Sequence, residues 1–152
     1  MKELTLIVAK GDVYDEVALT TSYTGSKMGG DPDAYERIYT TTADQAQLNR
    51  FWTESRVAVC EALRKFLDDV EEDETGLRIV LSLPSSFDDS LGEAMQEEMR
   101  SFFVMNITAK WYVFTNKGEA GQYSLDAAAH MEGLRRKACY KRRPVRPTYD
   151  RK

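Results

Sequence analysis

The chain has 152 residues, 42% of them apolar and 30% charged, with two cysteines and a formal net charge of −4. That suits one domain with a sizeable core, and no run approaches the roughly 18 apolar residues that a membrane-spanning helix needs. The small net charge hides an asymmetry. Residues 1–134 carry 12 Lys and Arg against 24 Asp and Glu, a balance of −12, whereas residues 135–152 carry nine basic groups against Asp150 alone, a balance of +8.

Residues 4–9 form a short, partly β-branched run that predicts a strand. The run is too short for a signal-peptide core and no small-residue cleavage site follows, so synthesis in the cytoplasm is expected. Gly11 ends the strand, and Asp12 caps a helix with Tyr14, Val17 and Ala18 on its inner face. That helix weakens through Thr20, Thr21 and Ser22 and stops by Gly29 and Gly30. Residues 29–33 have loop chemistry; read as an acidic cation loop, their spacing matches no calcium site. Tyr35, Ile38 and Tyr39 make a short anchoring segment.

Thr42 with Gln45 three residues on predicts a capping box at the head of a second helix of about 25 residues, near 40 Å long. Its apolar positions run from Leu48, Phe51 and Trp52 to Phe66, Leu67 and Val70. Six acids in the seven positions 68–74 read as its solvated end and the loop beyond. Gly76 turns the chain into residues 77–83, where Leu77, Ile79, Leu81 and Leu83 alternate with Arg78, Val80 and Ser82 as a half-buried strand. Pro84 closes it, and Ser85, Ser86 and Asp88 offer caps to the next helix.

Residues 88–115 predict the central helix. Leu91, Met95, Phe102, Asn106 and Ala109 lie along one stripe, and Phe103, Ile107, Trp111 and Phe114 along the next. A face that broad requires partners on two sides. Residues 116–121 read as a turn, followed by a helix over about 123–141 with Tyr123, Ala127, Met131, Leu134 and Ala138 inside. Pro144 and Pro147 then forbid helix and leave an extended tail.

The expected fold is mostly α (α+β): three long helices and one shorter one, with a small two-stranded sheet, in the order β-α-α-β-α-α. Residues 1–143 form one helical domain and residues 144–152 a basic tail. Two strands alone are marginal in water and leave edges that another subunit could extend.

The side chains name no reaction. His130 is the single histidine and has no second His or Cys to complete a triad or zinc site. Ser85 and Ser86 lack the glycine-flanked setting of a nucleophile elbow. Gly25, Gly29 and Gly30 make no phosphate-loop fingerprint. Asp88 with Asp89, and Glu97 with Glu98, are neighbours that diverge by roughly 100° on a helix. Cys60 and Cys139 fall in helical patterns among core-type residues, which reads as two buried thiols in a reducing compartment, with a disulfide between two helices as the alternative. Catalytic, cofactor and metal residues are therefore all expected to be none.

The basic tail has two readings. Arg135, Arg136 and Lys137 suit the C-terminal end of a helix dipole in solvent. Alternatively Lys141, Arg142, Arg143 and Arg146 form a cationic arm that binds a partner. A protein partner is favoured over nucleic acid, which the acidic body repels, and a sister copy is one such partner. Eight tyrosines, among them Tyr23, Tyr35, Tyr140 and Tyr149, exceed what one core needs and fit either half-buried positions or an interface.

Residues 35–67 (Tyr-Glu-Arg-Ile-Tyr-Thr-Thr, then the capped helix with Phe51-Trp52), the corner at 83–89, Lys110-Trp111-Tyr112 through Asn116-Lys117, and Tyr140-Lys141-Arg142-Arg143-Pro144 together resemble an uncharacterised family of small virion-module proteins in prophages of gut bacteria. The resemblance spans most of the chain. It implies a non-enzymatic structural protein of the phage particle, made in the bacterial cytoplasm and located in the virion. By layout it is similar to the head-tail connector and neck proteins that form rings between portal and tail, which implies a homo-oligomer with portal, neck and tail partners. The alternative is a monomeric adaptor or regulator that binds protein or nucleic acid through the tail.

Overall fold

Alternation in the first nine residues makes Lys2–Ala9 a strand (β1), with Leu6 and Val8 buried and Thr5 and Ile7 exposed. The computed structural model describes residues 1–148; Tyr149, Asp150, Arg151 and Lys152, part of the expected tail, lie outside the described residues. After β1 come α1 (Lys10–Lys27), α2 (Ala34–Ile38), α3 (Gln45–Ala62), β2 (Leu67–Glu72), β3 (Gly76–Leu83), α4 (Gly92–Thr115) and α5 (Lys117–Ala138). The protein is mostly helical with a small antiparallel sheet, as the periodicities predict. Among the described residues no helix is long and apolar enough to cross a membrane.

The sheet has three strands in the order β1-β3-β2, not two. β3 lies in the middle, antiparallel to both neighbours, with Leu6 opposite Ile79 and Val70 opposite Ile79 from the other side. The extra strand comes from the acidic run expected to end the second helix. That helix stops at Ala62, and Phe66 donates its backbone N–H to Leu63 O at 2.8 Å as the chain turns. A bulge between Leu67 and Asp69 then shifts the register by one residue. Leu67 and Val70, three apart, therefore both pack on the core, a spacing that reads as helical.

The hairpin from β2 to β3 is tied by Asp73. Its Oδ1 accepts from the Thr75 N–H at 2.8 Å, the Thr75 hydroxyl at 2.5 Å and the Gly76 N–H at 3.1 Å. Gly76 meets a backbone: a Cβ there would lie 2.1 Å from the Val8 carbonyl oxygen.

The helices cover one face of the sheet. α4 packs against α1, α2, α3, α5 and β1, which is the two-sided burial that its broad apolar face requires. Met95, Met99, Phe103 and Ile107 are fully buried there, and the Trp52 and Phe103 rings lie 4.6 Å apart. Phe114, expected on the inner stripe, is 71% exposed. It sits on the last turn of α4, beside Gln47, Arg50 and Phe51 in an open groove.

Four helices are long, at 18, 18, 24 and 22 residues, with the five-residue α2 as the short one. α1 starts two residues before Asp12, with Gly11 inside its first turn, and it does not fray at its threonines. Thr21 sits buried with its hydroxyl returned to Val17 O at 2.9 Å. The capping box stands one residue earlier than expected. Thr41 and Asp44 form it, across a single 3-10 turn (Thr42–Asp44) that leads into α3. Asn116 alone separates α4 from α5, so Gly118 and Gly121 are helical and no six-residue turn exists.

Candidate interaction surface at the C-terminal arm

The arm's root is built where α5 ends. Cys139 caps the helix, and Lys141 then makes an isolated antiparallel bridge to Phe87, a buried residue in the corner between β3 and α4. Arg142 donates its backbone N–H to Ser86 O at 2.7 Å, and its guanidinium reaches Asp89 Oδ2 at 2.9 Å. Lys2 on β1 joins the same carboxylate at 2.8 Å and donates to Phe87 O at 3.0 Å. Asp89 is thus held by two cations, and the Lys2 ammonium, with Arg142 behind it, keeps its carboxyl below the usual range.

Of the four residues expected to bind a partner, Lys141 and Arg142 therefore serve first as anchors. Arg143 and Arg146 lie on the exposed segment that follows, which has no regular structure. Neither has an ion-pair partner among the described residues. Val145 between them is 91% exposed.

The basic end of α5 is partly neutralised. Glu132 pairs with Arg135 and Arg136, both at 3.2 Å. An open groove of about 420 Å³ beside them is lined by Lys65, Phe66, Arg135, Arg136 and Tyr140, with Cys139 in its wall. Cys139 is exposed and Cys60 half-buried, and both are free. The expectation of two buried thiols is corrected for Cys139, because the last turn of α5 presents it to solvent.

His130 belongs to a clamp between α4 and α5. Its Nδ1 lies 2.7 Å from Glu98 Oε2, while Lys137 donates to Glu98 Oε1 at 2.9 Å. Burial pushes the Glu98 carboxyl up, but these two partners outweigh it and hold the pKa below the ordinary value. With both oxygens occupied, the carboxylate serves as a crosslink between helices. Among the described residues no three His, Cys, Asp or Glu side chains converge as a metal cage.

The two edges of the sheet differ in kind. α4 caps the outer edge of β1 at one residue, Ile7. The Gln96 carboxamide accepts the Ile7 N–H at 2.8 Å and donates back to Ile7 O, and Lys2 pairs with Asp89 at the strand's start. β2, by contrast, pairs with β3 alone and carries Asp68, Asp69 and Glu71 exposed. Tyrosines divide likewise: Tyr112 is fully buried with its hydroxyl on Thr24 at 2.9 Å, whereas Tyr23, Tyr35 and Tyr140 are exposed.

No protein-family model, curated protein or solved structure matches the chain.

Proposed function

We propose that the chain is a non-enzymatic structural subunit of a phage particle that assembles with copies of itself, most specifically as a ring-forming head-tail connector or neck protein. The observation that carries this reading is the arm. A segment rooted by Lys141 and Arg142 presents Arg143, Val145 and Arg146 to solvent from a body rich in acids. A chain with one basic projection and an acidic body has two unlike, complementary surfaces. Such heterologous contacts close into rings when the rotation permits. The resemblance to virion-module proteins of prophages points the same way.

Light scattering after size exclusion, followed by negative-stain imaging, tests the reading. Closed oligomers that bind portal or tail components are expected. A strictly monomeric particle with no such partners overturns it. Removal of residues 144–152 separates this reading from the adaptor: loss of oligomerisation supports the ring, and loss of a salt-sensitive nucleic-acid affinity supports the adaptor.

A further inference from the structure

We propose, resting on the self-assembly read above, that the outer edge of β2 receives the C-terminal arm of a second copy, which adds to the sheet as a fourth, antiparallel strand. A strand added at β1 would have to displace Gln96 from Ile7, whereas among the described residues no side chain caps the outer backbone of β2. Its hydrogen-bonding pattern is fixed at both ends. The Ser82 N–H donates to Phe66 O at 2.7 Å, and the Asp73 N–H donates to Gly76 O at 3.0 Å. In an antiparallel ladder the residues bonded to the partner alternate with those facing away. Counting back from Asp73, Glu71 and Asp69 bond to β3, while the backbones of Glu72 and Val70 face outward.

The arm suits that edge in shape. Its segment 143–146 is free of intramolecular structure and bounded by an anchored root. In the register that sets Val145 opposite Val70, Arg143 lies opposite Glu72, Pro144 opposite Glu71 and Arg146 opposite Asp69. The N–H groups of Arg143 and Val145 then face β2. Pro144, which has no N–H, occupies a position whose N–H would face away, where a strand tolerates proline. The same proline leaves the new outer edge short of a donor, so one strand adds and growth of the sheet ends there. Pro147 ends the pairing.

Charge selects the same pair of surfaces. Asp68 and Asp69 are exposed and make no side-chain ion pair among the described residues, and Arg143 and Arg146 are likewise unpaired. Main-chain hydrogen bonds supply affinity in strand addition, and the flanking side chains supply specificity. Two copies of the acidic edge repel one another, so edge-to-edge pairing of like strands is disfavoured and the basic arm is the complementary occupant.

The test uses the full chain and two charge-reversed variants, R143E/R146E and D68K/D69K, all at exposed positions, with folding checked by circular dichroism. Wild type is expected to associate. Each variant alone is expected to weaken association at least about tenfold, and an equimolar mixture to restore it, because each variant then meets a surface of opposite charge. A second measurement reads the backbone: the Val70 and Glu72 amides exchange freely in dilute monomer and become protected on assembly. Variants that associate as wild type does, a mixture that fails to recover, or unchanged Val70 exchange on assembly each overturn the strand addition while the oligomer stands. A wild type that stays monomeric at every concentration overturns the assembly reading beneath it as well.

Discussion

The Gln96 side chain pairs with the backbone of Ile7 as a neighbouring strand would, accepting its N–H and donating to its carbonyl. One carboxamide from α4 thus covers a residue of an edge strand and holds helix and sheet in register. Q96A removes both bonds and leaves water to replace them, at a cost of about 1 kcal/mol. Urea unfolding reads that loss, and the Ile7 amide is expected to exchange faster. Q96E keeps the acceptor for the Ile7 N–H but sets a charged acceptor against the Ile7 carbonyl, so it too is expected to destabilise.

Two helical glycines give opposite outcomes on substitution by alanine. Gly25 lies on α1 where α2 passes: a Cβ there would stand 2.8 Å from Tyr35 Cα, and backbone cannot rotate aside. G25A forces the two helices apart and costs about 1–3 kcal/mol, more than the gain in helix propensity returns. Gly121 on α5 faces open space. G121A stabilises by about 0.5–1 kcal/mol through the lost freedom of the unfolded chain. Thermal unfolding of the pair decides both signs.

The same glycines show where sequence patterns carried and where they failed. Alternation from Leu77 to Leu83 and the stripes through Met95, Phe103 and Ile107 placed β3 and α4, but β3 is the central strand and Val80, expected on its open face, is buried as well. Gly118 and Gly121 carry turn chemistry, yet packing of α5 along α4 overrides local propensity. Leu67 and Val70 mimicked a helix because a bulge puts residues three apart on one face. For the arm, charge composition found Lys141, Arg142, Arg143 and Arg146 but could not sort them. The sorting depends on Asp89, 53 residues from Arg142, and on where the chain returns to Ser86.

The cysteines are expected to react unequally. Burial raises the Cys60 thiol above its ordinary value, with Arg56 opposing and Glu72 adding to the rise. Cys139 stands exposed at the end of α5. Iodoacetamide near pH 8 is expected to label Cys139 roughly tenfold faster than Cys60, since burial both raises the Cys60 thiol and restricts access to it. Peptide mass analysis over time gives the two rates, and equal rates would count against the packing around Cys60.

The clamp on Glu98 makes stability depend on pH in a set direction. Its folded pKa lies below the ordinary 4.5, because the bonds from Lys137 and His130 outweigh the effect of burial. The folded state therefore favours the charged carboxyl. The contribution is complete at pH above that ordinary value and is lost as the pH falls through the folded one. E98Q removes the charge at every pH. It is expected to lower stability by about 1 kcal/mol at neutral pH, a figure discounted for partial solvent screening. The difference from wild type is expected to shrink as the pH falls below about 4.5 and through the lowered folded value, as the wild-type carboxyl also becomes neutral. Thermal midpoints of the two proteins across that range check the prediction. A gap that stays constant with pH would mean that Glu98 acts only through its shape between α4 and α5, and that Lys137 and His130 draw nothing from its charge.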